Sequence, residues 1–305
     1  MNDILTSKIN FKIIWTQFNR YWRLILFFAI CWFFINLFII LMCYLITKDK
    51  SISPYSTYNF IRDDNTNEFI KNGGDYYSGI GSYFPTIYYI CGLILFSMCS
   101  ISFIMITILF DIREGYISQI MTTTIKRNDI LFSKIFFCWS ALFVSYLPGY
   151  LINIILCSFA SDANIYLGRI FLIGLSFFIF ILALSSLFIF IILIFNDFIF
   201  ISLSVCGVIV VYLLVVNILQ MMITNKEIFN KIGMMLITPN PLEFRHINFS
   251  LPANSDLSQY KIEVYDTINN ESLKQEWITL PINMTFAVFI SYSSIIYFKK
   301  MDLRI

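Results

Sequence analysis

The groups in this chain that could do chemistry are concentrated in one stretch, Asp111 to Lys134, which reads DIREGYISQIMTTTIKRNDILFSK and holds seven charged side chains, a glycine and three consecutive threonines. Asp111 and Glu114 here, and Asp197 further on, are the carboxylates that could act beside a membrane, but none has a partner histidine, since the single one, His246, falls in a different loop. No GxxxxGK[ST], HExxH or CxxC pattern occurs, so a phosphate cradle, a zinc site and a redox pair all lack their signatures. No catalytic residue, metal ligand or nucleic-acid surface is therefore expected. The stretch reads instead as a docking element. On a helix from about Arg113, residues Ile117, Ile120, Met121 and Thr124 share one face, as in an amphipathic helix lying across a membrane surface. Lys126-Arg127-Asn128 then breaks it, with Asn128 or a neighbour able to cap the helix that follows.

The elements that must position this stretch are transmembrane. The chain has 305 residues, 58% of them hydrophobic, and a mean hydropathy of +0.76, outside the range of soluble domains. Six charge-free runs reach or approach the roughly 20 residues needed to cross a bilayer: 24–46, 86–110, 135–157, 170–195, 198–222 and 280–298. The expected fold is an all-α integral membrane protein whose membrane domain covers 24–298. All seven cysteines fall within these runs, where apolar packing is their expected role. Lys and Arg are densest in 1–23, 111–134 and the tail 299–305, which places both termini and the 111–134 loop in the cytoplasm of a cell inner or plasma membrane. No charge lies inside a run, which disfavours a proton- or sodium-driven carrier. Asn36, Asn153 and Asn217 are the polar groups there, and interhelical hydrogen bonds account for them.

Residues 1–23 are expected to carry a separate interfacial amphipathic helix. Lys8, Lys12, Thr16 and Arg20 recur at i+4 on one stripe, while Phe11, Ile14, Trp15, Phe18 and Trp22 lie opposite, a pattern suited to anionic headgroups on one side and acyl chains on the other. External loops 47–85 and 223–279 should form a small cap. The first has a Gly73-Gly74 turn; in the second, 226–241 reads as short helices stopped by Pro239-Asn240-Pro241, 259–268 alternates like a strand, Asn269-Asn270 signals a turn, and 271–277 suits a helical turn. Asn196-Asp197 alone joins the fourth and fifth runs, a tight hairpin. Pro148-Gly149 should bend the third.

The 111–134 loop resembles that of ABC-2 type exporter permeases, in which arginine-glutamate-x-glycine opens a leucine-rich helix followed by proline, an aliphatic, serine, arginine, paired aliphatics and glycine-lysine. Here Arg113-Glu114-Gly115 opens the match, Ile117, Ile120 and Met121 supply the aliphatic face, and Ile125, Arg127, Ile130-Leu131 and Lys134 follow. The spacer before Gly115 is missing, Thr124 replaces proline and Ser133 replaces glycine. The ending YFKKMDLRI is also similar to that family's. The resemblance implies an ABC transporter permease that is not itself an enzyme: two partner ATPases carrying ATP and magnesium would dock at Arg113, Glu114, Gly115, Ile117, Ile120, Met121, Arg127 and Lys134, and a second copy or related permease would complete the path. The interfacial helix, with Lys8, Lys12, Trp15, Arg20 and Trp22, would join the same junction. The charge-free, aromatic-rich spans suit an amphipathic or hydrophobic cargo, a peptide or toxin before a lipid or drug. The competing classes are an immunity or sensor protein binding a peptide at its external cap, and a membrane enzyme acting on lipid-linked substrates.

Overall fold

The structure is a computed structural model that describes residues 9–48, 60–62, 69–71, 87–117, 125–158, 163–222 and 257–301. Its six long helical segments all carry windows apolar and long enough to cross a membrane. The first is α1, Phe11–Lys48. The second is composite: a π-helical stretch Ile87–Gly92, α2 (Leu93–Ile104), a further π-helical stretch Met105–Leu109 and α3 (Phe110–Arg113). Then come α4 (Arg127–Ser158), α5 (Ala163–Ile194), α6 (Ile199–Met222) and α7 (Leu257–Lys300).

Two expectations are corrected. The interfacial helix and the first span are one element, because nothing between Phe11 and Lys48 breaks a helix: the stretch has neither Gly nor Pro, and Asn10 caps it by accepting the Lys12 N–H at 3.1 Å. Thirty-eight residues at about 1.5 Å each make roughly 57 Å, far more than the hydrocarbon thickness. The supposed strand at 259–268 and turn at Asn269-Asn270 are helical, part of α7, which also runs through Pro281. Val264, Tyr265 and Ile268 suit a helix as well as a short alternation suits a strand, and continuity with the span decides. The membrane part is all-helical, as expected. In the first loop β1 (Phe60–Arg62) pairs antiparallel with β2 (Phe69–Lys71), Ile61 facing Ile70. Gly73-Gly74 and the 226–241 segment lie outside the described residues.

Helix α1 packs along α4, and their contacts rise together along both chains. The Asn10 N–H donates to Ser133 Oγ at 2.9 Å, the Phe18 and Phe137 rings meet edge to face, Ser145 Oγ donates to the Ile25 carbonyl, and Asn153 Nδ2 donates to Asn36 Oδ1 at 2.6 Å. The two helices are therefore parallel, first and third spans of a serpentine. The same holds for α5 and α7, through Ser176 with Thr279 and Ser291 with Ser186. Gly149 makes the α1–α4 approach possible, because a methyl there would come within 2.6 Å of Trp32 Nε1. The Trp32 indole instead lies against the α4 backbone and stacks near Tyr146. Helix α4 continues past Pro148 to Ser158.

The core is built on α5, whose Phe177, Phe180, Phe188, Ile189 and Ile192 are buried. Helices α1 and α6 keep apolar faces outward, Phe34, Phe38, Val208 and Val211 among them, and Phe200 is 86% exposed. A bilayer supplies the apolar surroundings such faces require.

Candidate functional site at the loop end

The described flanks of the stretch from Asp111 to Lys134, 111–117 and 125–134, lie where one end of every span converges. Helix α3 carries Asp111 and Arg113, then stops at Glu114. Gly115 follows with φ of 74°, and its N–H reaches the Ile112 carbonyl, a left-handed helix stop that glycine adopts without steric cost. The chain turns helical again at Tyr116, and Ile117 is buried in the core. Ile120 and Met121 lie outside the described residues. On the far side α4 begins at Arg127, eight residues before the expected span. Lys126, not Asn128, stands at its N-terminal boundary, where its carbonyl accepts the Asp129 and Ile130 N–H groups.

The charge-free runs end just short of a buried ion pair, which lies within the longer helical segments that contain them. The Asp111 carboxylate and the Lys134 ammonium form an ion pair between the second and third helical segments, and the Lys134 side chain is 0% exposed. The same ammonium donates to the Thr107 carbonyl, inside the π-helical stretch. The Thr107 hydroxyl donates to the Phe103 carbonyl at 2.6 Å and meets Cys138 Sγ at 3.6 Å. Removing either charge from so dry a place would strand the other.

Three further straps tie this stretch to the remaining spans. Arg113 Nη2 donates to the Asp197 carbonyl at 2.9 Å, joining the second segment to the α5–α6 turn. Arg127 donates to the Met301 carbonyl, and its guanidinium sits 4.8 Å from the Phe298 ring, joining α4 to the end of α7. Ser133, bonded to the Asp129 carbonyl and taking the Asn10 N–H, joins α4 to the start of α1. Asp111, Arg113, Arg127, Ser133 and Lys134 thereby hold the ends of all six spans.

The sequence-selected residues separate into two groups. Arg127 and Lys134 reach inward to other helices, Arg113 is exposed but bonded to the α5–α6 turn, and Gly115 and Ile117 shape and bury the turn. Glu114, Tyr116 and Lys126 are exposed. On α1, Ile14 and Phe18 turn inward to α4, whereas Lys12, Trp15, Arg20 and Trp22 are exposed; the expected apolar side is split between the bundle and the outside. Arg20 and Arg23 lie over the rings of Tyr21 and Trp22. Lys8 lies outside the described residues. Sequence reading missed Ser133 and Asp111 as structural partners. Their signal was positional: Asp111 and Lys134 each stand one residue beyond the facing ends of adjacent antiparallel runs.

Six long apolar helices, with buried polar groups paired helix to helix, define a multi-pass helical membrane protein. Comparison with protein-family models, characterised proteins and solved structures found no match.

Proposed function

We propose that this chain is the membrane subunit of an ABC-2 type exporter, driven by a separate ATPase that docks on the cytoplasmic loop between the second and third spans. The observation that carries the reading is that the flanks of this loop hold the ends of all six spans, so a force applied to it reaches the whole bundle. The resemblance of Arg113-Glu114-Gly115 and the residues up to Lys134 to the family's loop supplies the kind of partner. Because Arg113, Arg127 and Lys134 are occupied within the chain, the partner-facing groups are Glu114, Tyr116 and Lys126, with the 118–124 segment between them. Two ATPase subunits and a second copy or related permease complete the assembly, and an amphipathic peptide or toxin is the first choice of cargo, a lipid or drug the second.

The test is to coexpress the chain with an ABC ATPase from the same genome, an adjacent gene being the first choice, and follow efflux of a labelled amphipathic peptide from cells or inverted vesicles. Efflux that needs both chains and ATP is the expected result. Retention of the activity by the isolated chain, or ATP hydrolysis by it alone, would sink the proposal.

A further inference from the structure

We infer that Asp111 and Lys134 are the positioning pair of the coupling loop, holding its two ends and the π-helical part of the second span in one register, so that loop movement is delivered to the second and third spans together. The inference deepens the exporter reading and rests on it. The two residues bracket the loop, one at each root, and face each other from adjacent helices. Burial excludes the water and salt that would otherwise weaken the pair. Lys134 also takes the Thr107 carbonyl within Met105–Leu109, where the backbone is widened from α to π geometry and carbonyls fall out of step with the α ladder. One ammonium therefore fixes both the loop root and the π-helical stretch of the second span. The neighbouring straps act elsewhere: Arg113 and Arg127 pass the movement on to the α5–α6 turn and to α7.

The experiment uses the full-length chain assembled with its ATPase in nanodiscs and in proteoliposomes. Asp111→Asn/Lys134→Met removes both charges without stranding either, and Asp111→Lys/Lys134→Asp restores a reversed pair. In the neutral variant, ATPase copurification and ATP turnover should stay as in wild type while efflux of the labelled peptide falls about tenfold, within the usual range of coupling energies. The reversed pair should recover part of it. Wild-type efflux in the neutral variant, or turnover and efflux falling in proportion as the complex is lost, would overturn the inference. If wild type itself shows no ATP-dependent efflux, the exporter reading fails, and the pair is judged by spin labels at Lys126→Cys and Lys299→Cys, both exposed. The neutral variant should broaden that distance distribution; an unchanged width would overturn the pair on its own.

Discussion

Two junctions tie the third span to its neighbours, and they are built from opposite materials. At the loop end the contact is ionic, Asp111 with Lys134, reinforced by arginines that reach backbone carbonyls on two other elements. Deeper in the bundle it is neutral: Asn153 donates to Asn36, Asn36 donates to the Trp32 carbonyl, and Trp32 fills the space left by Gly149. Charge is kept to the end where the loop enters, and shape with amide hydrogen bonds serves where lipid surrounds the helices. A neutral pair fixes helices at small cost when it breaks, whereas a buried ionic pair is severe when half-broken. The ionic junction is thus suited to holding a defined arrangement, the neutral one to general adhesion.

The largest effect should come from breaking the ionic junction on one side. Lys134→Met leaves the Asp111 carboxylate buried without its counter-charge and should destabilise the chain by about 3–5 kcal/mol. Adding Asp111→Asn to it should recover most of that loss. Thermal unfolding of the detergent-solubilised protein measures both, and equal losses in the single and double variants would show that the charges are not coupled.

The neutral junction should break by steric means. Gly149→Ala places a methyl 2.6 Å from Trp32 Nε1 and 2.8 Å from Asn36 Nδ2, so the α1–α4 approach must open. Overpacking of this sort costs about 1–3 kcal/mol. Trp32→Phe in the same background should return part of it, which an indifferent site would not do.

A smaller, local effect is expected at the turn between the ionic junction and the exposed groups. Gly115→Ala forces φ of 74° on a residue with a Cβ, at about 1–2 kcal/mol, and Gly115→Asn should cost less. Hydrogen exchange across 112–117 should rise in the alanine variant, with global unfolding shifted less than in Lys134→Met. A shift as large as that variant's would mean the turn, not the ion pair, carries the loop end.

How much of this was legible in the sequence depends on how far each feature reaches along the chain. The six spans are written locally as apolar runs, and all six are present. Their ends were misread at the loop side, α1 starting at Phe11 and α4 at Arg127, because a charge-free run stops at the first charge even when that side chain is exposed, like Arg23, or buried in a pair, like Lys134. Pairing across 23 positions leaves no local periodicity. The glycine in Arg113-Glu114-Gly115 was found as a motif letter, but its reason, a left-handed helix stop, needs a backbone angle. At 259–268 the residues satisfy two periods at once, and only the continuous helix into the last span chooses between them.

The smallest expected effect also sharpens the comparison most, because it asks whether the two ends of one neutral bond are equal. Asn36 accepts from Asn153 and also donates to the Trp32 carbonyl one turn back, so Asn36→Leu removes both bonds, whereas Asn153→Leu leaves the Asn36–Trp32 bond intact. Asn36→Leu should therefore be the more damaging of the two. Bonds of this kind between membrane helices average about 0.6 kcal/mol, because in the unfolded chain the same groups find partners within the bilayer. A double-mutant cycle on Asn36 and Asn153 should give a coupling of about that size, several-fold below the one measured for Asp111 and Lys134. Were the amide coupling the larger, the division between an ionic clamp at the loop and neutral adhesion above it would be reversed, and the firmest junction of the third span would be the one at Trp32 and Gly149.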